Sequence, residues 1–495
     1  MWTPRKRSQP IANFAFLFLA CLLLCEMASG TPYITLSKKS GPPTSGILVS
    51  GRGFEPNVGV DIYFDTKDEA LVITNGKGAF HDAGIHAPRG AYPGKHWVTA
   101  LERNNDKGAQ EPFLVQTNWS QFHFDADGTR LNPYENVLNP RTTRDLDLKW
   151  SYLTPASVFS SPAVTNGVVY VSSEDGSVFA LNARTGATLW SYSTGAYVGS
   201  VAVANGAVYF STFNGKVYAL NARTGATLWS KSNSNYTDAD VTIANGVVYV
   251  GSLGGAIYAL NARTGKTLWS YITGSYVFSA PAVVNGVVYV GSNDHNVYAL
   301  DARTGGRLWS YTTGLWVNSA PAVVNGVVYV GSDDYNVYAL NAISGFKLWS
   351  YTTGSYVDSS PAVADGVVYV SSGDGNLYAL SADTGNAIWS YTIGIANEEG
   401  SSAAVANGVV YVGSYSGANM DALDARTGTL LWSHPFVNSV TSSPAVVNGV
   451  LYVGCWDDSV YAFGLSGGDD SRQEAASKRP SFKILRPDFN LKASE

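Results

Sequence analysis

Eight tryptophans recur along the chain at a near-constant interval, and this constrains the fold more than any other feature. Trp150, Trp190, Trp229, Trp269, Trp309, Trp349, Trp389 and Trp432 lie 39 or 40 residues apart, with 43 at the last step. One unit keeps returning between them, shown cleanly from Trp269 to Leu308 as WSYITGSYVFSAPAVVNGVVYVGSNDHNVYALDARTGGRL. A period near 40 with strand-like content marks a ring or array of four-stranded units. Each unit reads as SAPAVV, an Asn-Gly turn, VVYVGS, a polar turn, VYAL, an Ala-Arg-Thr-Gly turn and LWSY. Asn-Gly suits a type I′ hairpin because both positions need positive φ. Seven units carry Asn-Gly and one carries Asp365-Gly366. Only 14% of residues are charged and 51 are glycine, which agrees with short strands and tight turns.

A single twisted meander cannot bury both faces, so neighbouring units must stack. Eight three-strand sets are present, and eight Trp strands accompany them. The first Trp strand, Leu148 to Tyr152, precedes its set, and the last set, ending at Phe463, has no Trp strand after it. The simplest resolution is that the first Trp strand completes the last blade. The expected fold class is therefore all-β, an eight-bladed β-propeller closed by pairing of the chain's two ends and preceded by a small β-sandwich.

The string AxxxTGxxxW, as Ala183-Arg184-Thr185-Gly186 through Trp190, resembles the PQQ-type propeller repeat. That family includes quinoprotein alcohol dehydrogenases and BamB-type lipoproteins of outer-membrane assembly. The resemblance covers about two-thirds of the chain and implies that the eight Trp pack between adjacent blades. It is specific for fold and weak for function.

The remaining segments differ in texture. Residues 1–30 read as a secretory signal peptide, with Arg5-Lys6-Arg7 ahead of an apolar run and a small-residue cleavage zone. An exported location, periplasmic or extracellular, follows, with no transmembrane span once the signal is removed. Cys21 and Cys25 leave with the signal, or one of them is lipidated, and Cys455 then stands alone without a disulfide. Residues 31–117 suggest an immunoglobulin-like β-sandwich. Residues 118–147 form a polar connector with an ordered strap at Asn132 to Asn136; Asp125-Ala126-Asp127-Gly128 within it reads as a turn. The propeller spans 148–465, and 466–495 reads as a disordered tail.

Topology sorts the sequence into two faces. The Asn-Gly hairpins and Ala-Arg-Thr-Gly turns share a repetitive, basic face. The links between blades and the second-to-third-strand turns share a variable face that is acidic and aromatic. Tyr236, Tyr276, Trp316 and Tyr356 fall in the links, and Asp294, Asp334 and Tyr335 in the turns. These seven are the partner-binding candidates, since aromatic and acidic groups suit a protein or a glycan. The net charge of −6 argues against nucleic acid. The family resemblance adds an alternative in which Trp316 stacks on PQQ while Asp238, Asn318 and Asp358 ligate Ca²⁺. No catalytic residue is assigned, because near-identical repeats offer few differentiated groups and no HExxH, GxSxG or P-loop occurs. Three readings stay open: an exported, monomeric, non-catalytic binding propeller without cofactor; a PQQ- and Ca²⁺-dependent alcohol or sugar dehydrogenase; and a BamB-like assembly scaffold.

Overall fold

The structure is a computed structural model that describes residues 31–232, 240–394, 401–466 and 478–485. The signal segment, Tyr236, Asp238, and Asn397 to Glu399 lie outside the described residues. The chain divides into two compact units, one of residues 1–115 with 473–495 and one of residues 116–472.

The first unit is built from two sheets. Strands Tyr33–Leu36, Gly46–Arg52 and Phe80–His86 form one. Ser40–Gly41, Gly108–Val115, Gly94–Glu102, Gly59–Phe64 and Lys67–Ile73 form the other. Alternating side chains such as Val49, Ile62, Ile85, Val98 and Phe113 meet in one core. The tail expected to be disordered is corrected over 478–485. A helical turn, Phe482–Leu485, buries Leu485 against Tyr63 and Leu101, and Gln110 Nε2 donates to Pro480 O at 2.8 Å.

The second unit is a β-propeller. Among the described residues it contains eight sheets of the repeating kind, numbered here in chain order. Blade 1, for example, runs Ala163–Thr165, Val168–Ser172, Ser177–Asn182 and Thr188–Ser193 from the inside outward. Each innermost strand neighbours the next, and that of blade 8, Ala445–Val447, neighbours that of blade 1. Leu146–Leu153 pairs antiparallel with Ser459–Leu465, so the first Trp strand does complete the last blade. All eight hairpin turns have positive φ at both positions, as at Asn285 (49°) and Gly286 (80°).

The repeat motif explains itself in the blade contacts. Each Trp Nε1 donates to a backbone carbonyl of the next blade, at 2.8–3.1 Å in all eight cases. Seven of these acceptors are the Ala that opens an AxTG-type turn; for Trp432 it is Leu146. The turn glycine then lies beneath the indole of the preceding blade. A Cβ on Gly305, for example, would sit 2.6 Å from Trp269, and its φ of 74° also excludes ordinary side chains. In six blades the Tyr of the second strand donates to the same Ala carbonyl as the Trp, so both lone pairs are used. A β-bulge just before each Trp leaves Leu189, Leu228, Leu268, Leu308 and Leu348 about half exposed around the outside.

Candidate binding funnel

The two faces separate as the topology requires. Ala183 N donates to Gly167 O and Ala302 N to Gly286 O, which ties each AxTG turn to its hairpin. On the opposite face Asn293 N donates to Tyr276 O, Asp333 N to Trp316 O and Gly373 N to Tyr356 O, tying links to polar turns.

The connector does more than the ordered strap expected at Asn132 to Asn136. It enters the central channel and runs once around it, bonding to the innermost strand of every blade in order. Trp119 exchanges both backbone bonds with Val164 of blade 1. Ser120 O accepts from Val203 N, Gln121 Oε1 from Ile243 N, Ala126 O from Val283 N and Asp127 O from Val323 N. Thr129 O then accepts from Val363 N and Arg130 O from Val405 N, and Asn132 Nδ2 donates to Val446 O of blade 8. The inner edges of the blades would otherwise present unpaired backbone groups. Asp125 bends the strap by accepting from Thr129 N and Oγ1, at 3.0 and 2.7 Å. Burial pushes its carboxyl up to about 6 against the opposing effect of those two bonds.

The strap floors the channel and leaves a cavity of about 270 Å³ beside the variable face. Phe122 is the floor. Phe159, Tyr197 and Phe278 contribute aromatic wall, Asp240 and Asp358 contribute carboxylates, and serines from several blades fill the remainder. Behind Phe122 lies Arg130, its Cζ 3.9 Å from the ring centroid, fully buried and with no hydrogen-bond partner on its guanidinium. Burial lowers Arg130 to about 9, with Asp240 acting in the opposite sense. Burial likewise drives neighbouring His123 well below its ordinary value, reinforced by Arg130, so it is neutral at pH 7.

The serines form a circumferential relay. Ser161 N donates to Ser200 Oγ, Ser200 N to Asp240 Oδ1, Ser360 N to Ser402 Oγ, Ser402 N to Ser443 Oγ and Ser443 N back to Ser161 Oγ. Ala320 N joins by donating to Ser360 Oγ. The relay lacks side-chain acceptors at Ala280 and Ala320, whose methyl groups take the equivalent positions.

The residues expected to bind a partner scatter into different roles. Tyr276, Trp316 and Tyr335 are each about half exposed on the variable face, outside the funnel lining. Tyr335 holds a φ of 72°, unusual for a side chain of its size. Tyr356 packs its ring against Gly373. The carboxylates of Asp294 and Asp334 are both engaged by hydrogen bonds within their blades. Asp294 accepts from Gly274 N (2.6 Å), Tyr298 Oη (2.7 Å) and Asn296 N (3.1 Å), and Asp334 repeats the pattern with Gly314, Tyr338 and Asn336. Burial would raise the Asp294 carboxyl, but bonds from Tyr298, Gly274 and Asn296 outweigh it and hold it below the usual range. Asn318 Nδ2 donates to Asp358 Oδ1 at 3.2 Å, which brings those two candidates together. The funnel residues Phe122, Phe159, Asp240 and the serine relay were not singled out from sequence. The recurring Ser-Pro pairs, Ser161-Pro162, Ser360-Pro361 and Ser443-Pro444, were the available signal.

Comparison with known proteins now has a geometry to attach to. In curated sequences, an 82-residue stretch is 35% identical to the 1-butanol dehydrogenase (cytochrome c) of Thauera butanivorans. A 77-residue stretch is 32% identical to the quinohemoprotein alcohol dehydrogenase of Comamonas testosteroni. These stretches span only 12% and 11% of the two enzymes. Among solved structures, BamB from Moraxella catarrhalis superposes with a TM-score of 0.58 at 22% identity, over 65% of this chain and 98% of that one. The Comamonas testosteroni quinohemoprotein alcohol dehydrogenase gives 0.59 at 18% identity, over 71% and 81%. At such identities the likeness shows the fold alone. The family model described as outer membrane protein assembly factor BamB matches residues 143–232, 213–355 and 279–474. These matches together run through the whole propeller, and the chain belongs to that family of PQQ-type β-propellers.

Proposed function

We propose that the chain is an exported, non-catalytic binding propeller that receives a protein or glycan partner on its variable face. The observation that carries this reading is the blind funnel. The chain's own strap floors the channel, so a ligand has one way in, past the aromatic and acidic groups of that face. The test is a binding screen on glycan and peptide arrays with the mature chain and with a Trp316→Ala/Asp358→Asn double variant. Loss of at least about tenfold of the captured signal in the variant is expected. An unchanged set of captured partners would remove the variable face from consideration.

The dehydrogenase names of the matched relatives motivate the second reading, with PQQ and Ca²⁺. PQQ is a tricarboxylate, and the charged groups lining the funnel are Asp240 and Asp358. Trp316, the candidate stacking residue, stands outside that lining. Among the described residues no cluster of three His, Cys, Asp or Glu side chains is placed to hold a metal. The charged lining opposes the carboxylates of PQQ, Asp238 lies outside the described residues, and no step is derived through the group. Titration with PQQ, with and without Ca²⁺, should leave the Trp fluorescence flat. The third reading, an assembly scaffold like BamB, draws on the family match and makes the partner a protein; fractionation away from the outer membrane would reject it.

A further inference from the structure

We propose that the funnel is a subsite for one uncharged polyhydroxylated ring, a sugar residue entering from the variable face with a C–H face on Phe122. This rests on the binding reading above and narrows it to a ligand class.

The walls carry matched donors and acceptors. The Oγ atoms of Ser161, Ser402 and Ser443 each accept one backbone N–H, and their own protons have no acceptor among the described residues. These hydroxyls, more than nine-tenths buried, are fixed in position by the bonds they accept and remain able to donate. Asp358, leading into the blade next to that of Ser402, supplies acceptor capacity in the same lining. Convergent donors and acceptors above an aromatic floor match a molecule that offers hydroxyls at its edge and C–H groups on its face. The volume of about 270 Å³ falls just below the range of drug-sized sites and suits a single ring.

Charge decides between neutral and anionic ligands. An anion would meet Asp240 and Asp358 in the wall, and the Arg130 guanidinium behind Phe122 is already opposed by Asp240. The penalty is enlarged by the low effective dielectric of a recessed site. A neutral polyol does not meet it.

The experiment is ligand-observed saturation-transfer NMR at pH 7 on the full mature chain. The probes are glucose, galactose, mannose and N-acetylglucosamine, followed by the uronate counterpart of whichever hexose binds. At least one neutral sugar should saturate at its ring C–H protons. Phe278→Ala should weaken it at least about fivefold, and the uronate should bind at least about tenfold more weakly. Failure of all four neutral sugars, or equal binding of the uronate, would overturn the assignment. If the array partners are still lost in the Trp316→Ala/Asp358→Asn variant in that case, the variable-face reading stands while the sugar subsite falls.

Discussion

Two hydrogen-bonded rings run around the propeller, and they differ in completeness. The outer ring, Trp Nε1 to the next blade's carbonyl, is made eight times out of eight within 0.3 Å. The inner ring, backbone N–H to the next blade's side chain, varies between Ser and Asp and is missing at Ala280 and Ala320. A contact repeated at every blade is what closure requires, since one weak interface would open the ring. A contact allowed to vary lies where closure is already secured, and there chemistry can differ from blade to blade.

That contrast can be broken at several points. Trp309→Ala removes a buried indole, its bond to Ala342 and the cover over Gly345, and should cost about 4 kcal/mol in denaturant unfolding. A loss below about 1 kcal/mol would mean that the outer ring is decorative. Asp125→Asn tests the strap. Because the folded-state value is raised to about 6, the unfolded chain binds fewer protons between pH 4 and 6. The group's contribution to stability therefore falls as pH rises through that window and stays low above it. The Asn variant should gain about 2 kcal/mol at pH 7.5, with the gain vanishing near pH 4. Ser443→Ala tests the inner ring by leaving Ser402 N without its acceptor, and should cost only about 1 kcal/mol. A loss as large as that at Trp309 would make the two rings equivalent and weaken the case for a specialised interior.

The legibility of the sequence follows the same division. The Trp period, the Asn-Gly turns and the displaced first strand were readable because each depends on a residue type that little else can replace. Of the strap, only an ordered stretch at Asn132 to Asn136 was readable, and its course around the channel was not. Five of its eight blade contacts use the carbonyls of Ser120, Ala126, Asp127, Thr129 and Arg130 as simple acceptors, and every residue carries a carbonyl. A polar stretch of 30 residues between two packed units was the one hint that it had structure to make. Asp294 and Asp334 are hard to read for the opposite reason. Acidic turns resemble sites, yet a Tyr four residues later, Tyr298 or Tyr338, was already the donor each carboxylate required. Asp457 and Tyr461 repeat that spacing and that bond at 2.8 Å.

The strap also sets an order of assembly. Residues 119–132 precede every blade in the chain but end inside all of them, so synthesis delivers the thread before the beads. Each new blade can dock its inner edge onto an acceptor already placed, and the register of blade 8 is tied to that of blade 1 through one continuous segment. A circular permutant carrying 119–132 at its C-terminus would have to lace a ring that had already closed. Such a chain has the same contacts to gain and a slower route to them, which makes the propeller's kinetics depend on where its sequence begins.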